Sequence, residues 1–216
     1  MKNTKEHILE TATELFNEKG FFNVSIKEIA DEMKISPGNL TYHFKRKEQL
    51  LDAIQEEILN ASKNIIVPEG KYVTLEHFEL MFQKFCAVQD RYRFYFTNIL
   101  YLTVAHPTVL EKYKVRTSKR LEDARKLVDY YISTNRLKPE SDELDYTYLI
   151  HNLWIVNMFW KNSSSLIDLE KTNYLAKQSP MQSLWFMLKP YLTEKGLIEY
   201  QEIRDLKKSG GILPTS

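Results

Sequence analysis

The 216-residue chain has one cysteine, six glycines, no excess of either charge and no long apolar run. A single thiol, Cys86, excludes an internal disulfide framework and fits a reducing compartment. Set at helical spacing with Met81, Phe82 and Phe85, it reads as a small core residue. The opening "MKNTKEHILE" lacks an apolar stretch of signal-peptide length. The most apolar segment, Leu149 to Trp160, is interrupted by His151, Asn152 and Asn157 and is too short to span a bilayer. The expectation is a soluble cytoplasmic protein with no membrane partner.

Lys and Arg number 30 against 29 Asp and Glu, so any nucleic-acid surface has to be local. Catalytic and metal chemistry also lacks its residues. Carboxylate-bridged metal sites in helical bundles place Glu three residues before His. The residues three before the five histidines are Thr4, Leu40, Thr74, Thr103 and Tyr148. There is no Cys/His metal spacing and no phosphate-cradling glycine loop. No catalytic residue, metal or cofactor is therefore expected.

What is present is helical period almost throughout. Ile8, Leu9, Ala12, Leu15 and Phe16 form one face of a helix over 4–19, stopped at Gly20. Ser25 with Glu28 three residues on is a capping box, opening a helix with Ile26, Ile29, Ala30 and Met33 inward. Ser36-Pro37 opens the next, with proline at the first helical position, where its missing N–H does no harm. Leu40 and Phe44 face the core, and a fourth helix carries Leu50, Leu51, Ile54 and Ile58 over about 46–66.

"VPEGKY" (67–72) breaks the pattern. Beyond it the periodicity predicts helices over about 74–90, 91–105, 108–135, 140–162, 172–192 and 194–207, with a kink or break at Pro180 and Pro190. The fold class is all-α, with about nine to ten helices. The expected division is a three-helix helix-turn-helix domain over residues 1–47, a connecting fourth helix, a larger helical bundle over 67–208 and a disordered tail over 209–216.

Two short helices joined by a tight turn and held by a preceding helix can place the second in a DNA major groove. Pro37 and Gly38 make its tip slim, and Asn39 offers the donor and acceptor that suit adenine edges. Tyr42, His43 and Lys47 have the chemistry to grip phosphates, as do Ser25 and Lys27 from the preceding helix. The N-terminus of the fourth helix adds N–H groups for a phosphate. Residues 1–63 hold nine Lys or Arg and eleven Asp or Glu, yet residues 33–47 hold Lys34, Lys45, Arg46 and Lys47 with no acid. The positive field is local.

Through "ILETATELFNEKGFFNVSIKEIADEMKIS" and "LTYHFKRKEQLL", residues 4–55 resemble the DNA-binding domain of the TetR family of transcriptional regulators. The resemblance implies phosphate contacts at Ser25, Ser36, Tyr42, His43 and Lys47. It implies base contacts at Lys27, Pro37, Gly38, Asn39 and Thr41. Two positions depart from the family pattern: Lys34 stands where glycine is usual and implies a left-handed backbone, and Thr41 stands where tyrosine is frequent.

The resemblance further implies a homodimer, with a small-molecule effector bound in the bundle. Tyr101 in "RYRFYFTNILYL", and His151, Trp154 and Met158 in "YTYLIHNLWIVNMFW", are the candidate ligand residues; Thr147, His151, Trp154 and Met158 share a helical face. An ordinary bundle core fits the same stripe. Arg116, Lys119 and Arg120 read as solvated surface or as partners of an anionic effector. Dimerisation is expected through helices 140–162 and 172–192, with Leu184, Met187 and Leu188 as apolar contacts. The functional expectation is a repressor, released from a double-stranded operator by its effector. The alternatives are a helical-bundle enzyme and a scaffold without DNA binding.

Overall fold

A computed structural model describes residues 4–63, 65–66, 73–165 and 179–209. Among these residues lie eleven α-helices, two 3-10 turns and no strand, as the all-α reading expects. The "VPEGKY" boundary, residues 172–178 of the penultimate predicted helix and the tail 210–216 lie outside the described residues. The chain forms two compact units, one from the described residues of 1–63 and 86–113, the other from those of 64–85 and 114–216.

In the first unit, α1 (Thr4–Lys19) buries Ile8, Leu9, Ala12, Leu15 and Phe16. It stops at Gly20, whose φ of 85° is open to glycine at little cost. A 3-10 turn, Phe21–Asn23, drops Phe21 against Phe16 (centroids 5.0 Å apart), and Phe94 meets Phe16 at 5.2 Å. Then come α2 (Ile26–Glu32), α3 (Pro37–His43) and α4 (Lys47–Ala61).

The predicted helix over 91–105 is two short helices, α6 (Arg93–Thr97) and α7 (Ile99–Ala105), broken at Asn98, whose carboxamide donates to Phe94 O at 2.9 Å. That side-chain bond gives the chain a local alternative to the helical ladder. Gln55 of α4 is buried and donates to Tyr95 Oη (3.0 Å) and to Val109 O (3.1 Å), tying α4 to α6 and to the start of the helix that follows His106.

The second unit takes the first part of α5 (Leu75–Arg91), most of α8 (Pro107–Ser133), α9 (Tyr146–Ser165), α10 (Pro180–Leu188) and α11 (Glu194–Lys208). Its core runs from Leu75 and Phe78 through Leu127, Tyr131, Leu149 and Leu153 to Trp185 and Ile203. Helix α9 begins at Tyr146, six residues after the predicted start at 140. The acidic loop before it is held otherwise: Tyr146 Oη donates to Lys138 O (2.7 Å), and Lys138 N donates to Tyr191 O (2.9 Å). At Pro180 the structure has a helix start, α10 behind a Ser179–Gln182 capping box, and Pro190 lies in the closing 3-10 turn, Lys189–Tyr191.

Leu184 and Leu188, expected at a dimer contact, are buried in the core of this unit. Helix α10 is instead apolar on two sides, and the outward one carries Phe186, 80% exposed. No helix among the described residues is long and apolar enough to cross a membrane.

Candidate functional site

The turn between α2 and α3 is built by a Schellman closure. Ile35 N donates to Ala30 O and Lys34 N to Asp31 O, each at 3.0 Å, and Lys34 takes the left-handed position with φ 56°. The strained conformation expected of Lys34 is present. Ser36 then caps α3, its Oγ accepting from Asn39 N at 3.1 Å, which leaves the Ser36 hydroxyl proton available to a further acceptor. Leu40 and Phe44 are buried and pin the helix, while Pro37, Gly38, Asn39 and Tyr42 are exposed.

A methyl group added at Gly38 would meet nothing closer than Ser36 Oγ at 3.9 Å. The protein's own packing therefore gives no reason for glycine there. Tyr42 is 84% exposed and its ring stands edge-on to His43, with centroids 5.3 Å apart. Such a large exposed aromatic beside a slim helix tip presents contact area to something outside the chain.

The other candidates differ in how free they are. Lys27 is exposed, and so are Lys34, Lys45 and Arg46. Thr41 spends its hydroxyl on Gly38 O at 3.2 Å, so its first role is to brace the tip. Ser25 is engaged in the capping box, donating from N (2.8 Å) and Oγ (3.0 Å) to Glu28 Oε2 while accepting from Glu28 N. The backbone bond from Ser25, then its hydroxyl, holds the Glu28 carboxyl below the usual value of 4.5. A lowered folded pKa means that this stabilisation is present above pH 4.5 and is lost as pH falls through the folded value. Glu28→Gln should remove that part of the acid sensitivity in a thermal-melt series taken from pH 6 to about pH 3.

Lys47 departs from the expected phosphate role. Its ammonium donates to Phe21 O (2.8 Å) and Val24 O (2.9 Å) and lies 4.6 Å from the centre of the Phe21 ring. Burial pushes its pKa below the ordinary lysine value, against the pull of Glu48 and Glu28. It fastens the turn between α1 and α2 to the start of α4. Arg46, the N-cap of α4, makes no side-chain cap bond, so the first turn of α4 is not closed by its own capping residue.

In the second unit a cavity with about 780 Å³ of empty space, part of it open to solvent, lies between α5, α8 and α9. Trp154 and Met158 line it, as the sequence suggests, but His151 and Tyr101 do not. His151 is exposed and stacks on Trp154, with centroids 5.8 Å apart and planes 11° apart. Tyr101 belongs to the first unit, is exposed and packs edge-on to Phe22 at 4.7 Å. The buried residues of α9 are Tyr146, Leu149, Ile150, Leu153, Asn157 and Met158, on a face rotated from His151.

Asn157, which the sequence reading did not assign to a pocket, is in the lining, as is Arg120, read from the sequence as solvated surface or as a partner of an anionic effector. Asn157 had a visible signal: a carboxamide four residues after Leu153 in an apolar stripe. Arg120 could not be told from plain surface, because its neighbours Lys119 and Asp123 form an i,i+4 ion pair.

Residues 45–200 match the family described as bacterial transcriptional repressors, and residues 8–54 match the bacterial regulatory proteins of the tetR family. Over 51 residues the chain is 47% identical to the transcriptional regulator UidR of Escherichia coli, a match covering 24% of this chain and 26% of UidR. The chain thus spans about a quarter of the length of that relative. IcaR of Staphylococcus epidermidis, a negative regulator of a biofilm operon, is 20% identical over 172 residues, covering 79% of this chain and 92% of IcaR. In fold, the chain is similar to a TetR-family regulator from Marinobacter aquaeolei (TM-score 0.82, 24% identity, covering 94% of this chain and 98% of that one). With the repressor family matching most of its length, the protein belongs to the TetR family of transcriptional regulators.

Proposed function

We propose that the protein is a DNA-binding repressor that reads its operator with the N-terminal tip of α3 and is released by a small molecule bound in the cavity of the second unit. The observation that carries the first half is the exposed tip itself. Glycine sits at a position where the fold has room for a side chain, beside an exposed asparagine and tyrosine. In the proposed complex Asn39, Gly38 and Lys27 meet base edges, and Ser36, Tyr42 and His43, helped by Lys45 and Arg46, hold phosphates. Lys47 contributes by fixing the loop before α2, and Ser25 by capping that helix.

The effector half rests on the cavity and on continuity of the backbone. Helix α8 starts at Pro107, offers the Val109 carbonyl that Gln55 of α4 holds, and continues to the residues Arg120 to Tyr131 that line the cavity. A ligand acts on DNA binding only through a difference in its affinity for two arrangements of these helices.

One helix tip reads few base pairs, so the reading includes a homodimer on two half-sites. Its contact is formed by the outward faces of α9 and α10, where Tyr148, Ile155 and Phe186 are exposed. Phe186→Asp should convert the dimer to monomer in sedimentation at micromolar concentration and leave the helical circular-dichroism spectrum intact. The function as a whole is tested by selecting bound sequences from random DNA with the purified protein. Enrichment of an inverted repeat is the expected result, and no enrichment over input would remove the proposal.

A further inference from the structure

The cavity of the second unit has polarity along its length. Helices α5 and α8 run antiparallel beside it: Tyr131 Oη donates to Thr74 O (2.9 Å) at one end, and Arg120 lies 5.1 Å from the centre of the Phe85 ring at the other. Helix α9 enters at the Tyr131 end, where Tyr146 Oη holds Lys138 O at 2.7 Å. Trp154 and Asn157, further along α9, therefore lie toward the Arg120 end. Arg120 to Tyr131 covers eleven helical steps, about 16 Å at the α-helical rise.

Chemistry is divided between these ends. Toward Tyr131 the walls are Phe78, Leu127, Leu149 and Leu188, and the one hydroxyl there is already used on Thr74. Toward Phe85 stand a guanidinium, a carboxamide and an indole. The Trp154 indole N–H is buried and makes no hydrogen bond among the described residues. A buried donor without an acceptor is costly, and a ligand acceptor at that end would relieve it. Among the described residues no carboxylate lines the cavity to welcome a cation.

We infer that the effector is an amphipathic carboxylate, an extended apolar chain with a single anionic head, the head held at the Arg120–Trp154–Asn157 end and the chain lying toward Tyr131. This rests on the reading of the cavity as the effector site. A guanidinium fork matches a carboxylate, and a low-dielectric wall strengthens the pairing.

The test is calorimetric titration of the full-length protein, without DNA, by three probes sharing a ten-carbon tail: decanoate, decanol and decyltrimethylammonium. Decanoate should bind at least about tenfold more tightly than decanol, the margin of a charge-assisted hydrogen bond, and the ammonium weakest of the three. Arg120→Met should erase the margin between decanoate and decanol while decanol still binds, which general damage to the fold would not do. Equal binding of the three probes, preference for the ammonium, binding of none, or a preference unchanged in Arg120→Met would each overturn the inference. The wild-type series decides the matter even if the variant fails to fold. Decanoate binding that leaves a DNA complex intact would count against the effector reading and not against the ligand class.

Discussion

Gly38→Ala should make the protein more stable and a poorer DNA binder. The methyl group finds open space in the protein, 3.9 Å from its nearest neighbour, and the position lies inside a helix with ordinary backbone angles. Removing glycine's excess freedom in the unfolded chain stabilises by about 0.4–1 kcal/mol, which raises the melting temperature by about 1–4 °C for a chain of this size. In the complex the same methyl stands between the helix backbone and the groove floor. A displacement there costs at least about 1.4 kcal/mol, a factor of ten in Kd. Thermal melts and anisotropy titrations on one operator check both signs. If stability rises and affinity is unchanged, α3 does not approach bases with its tip.

Glu199→Ala should be the most destabilising single change in the second unit, by about 3–5 kcal/mol. The Arg136 side chain is fully buried, with its Nε donating to Glu199 Oε2 at 2.9 Å. The same carboxylate oxygen accepts from Leu75 N at 3.2 Å, closing the first turn of α5. Truncation removes the counter-charge of a buried guanidinium and the cap of a helix together. Glu199→Gln keeps an acceptor for both donors and should cost less. Gly196 shows how close this corner is: a Cβ there would fall 2.3 Å from Arg136 O, so α11 can start against the Arg136 carbonyl only with glycine at that position. Urea titration of the two Glu199 variants checks the order of the effects.

The reading head was legible because its signals are local. Ser25 with Glu28 and Ser36 with Pro37 announce two helix starts by chemistry confined to four residues, and the structure has both caps in place. The left-handed turn at Lys34 was legible only through the family resemblance, which has glycine at that position. The intramolecular role of Lys47 was not legible, because its partners, the carbonyls of Phe21 and Val24, lie 26 and 23 residues away in the chain. In the second unit, signals that depend on distant partners failed more often. His151 shares a helical spacing with Trp154 and Met158, yet α9 is rotated so that the stripe from Leu149 to Met158 faces inward and His151 stays outside. Apolar residues on both sides of a helix leave that rotation undecided until neighbouring helices choose it. Leu184 and Phe186 on α10 are the same case: the core took the first, and the second stayed outside.

Asn39 decides most directly whether the tip of α3 reads bases. Bound sequences would be selected from random DNA in parallel with wild-type protein and with Asn39→Ala. The variant should keep the half-site spacing and lose preference at one position in each half-site, with about 1–3 kcal/mol of discrimination gone there. Recovery of the same sequence preference by both proteins would contradict base reading by that tip.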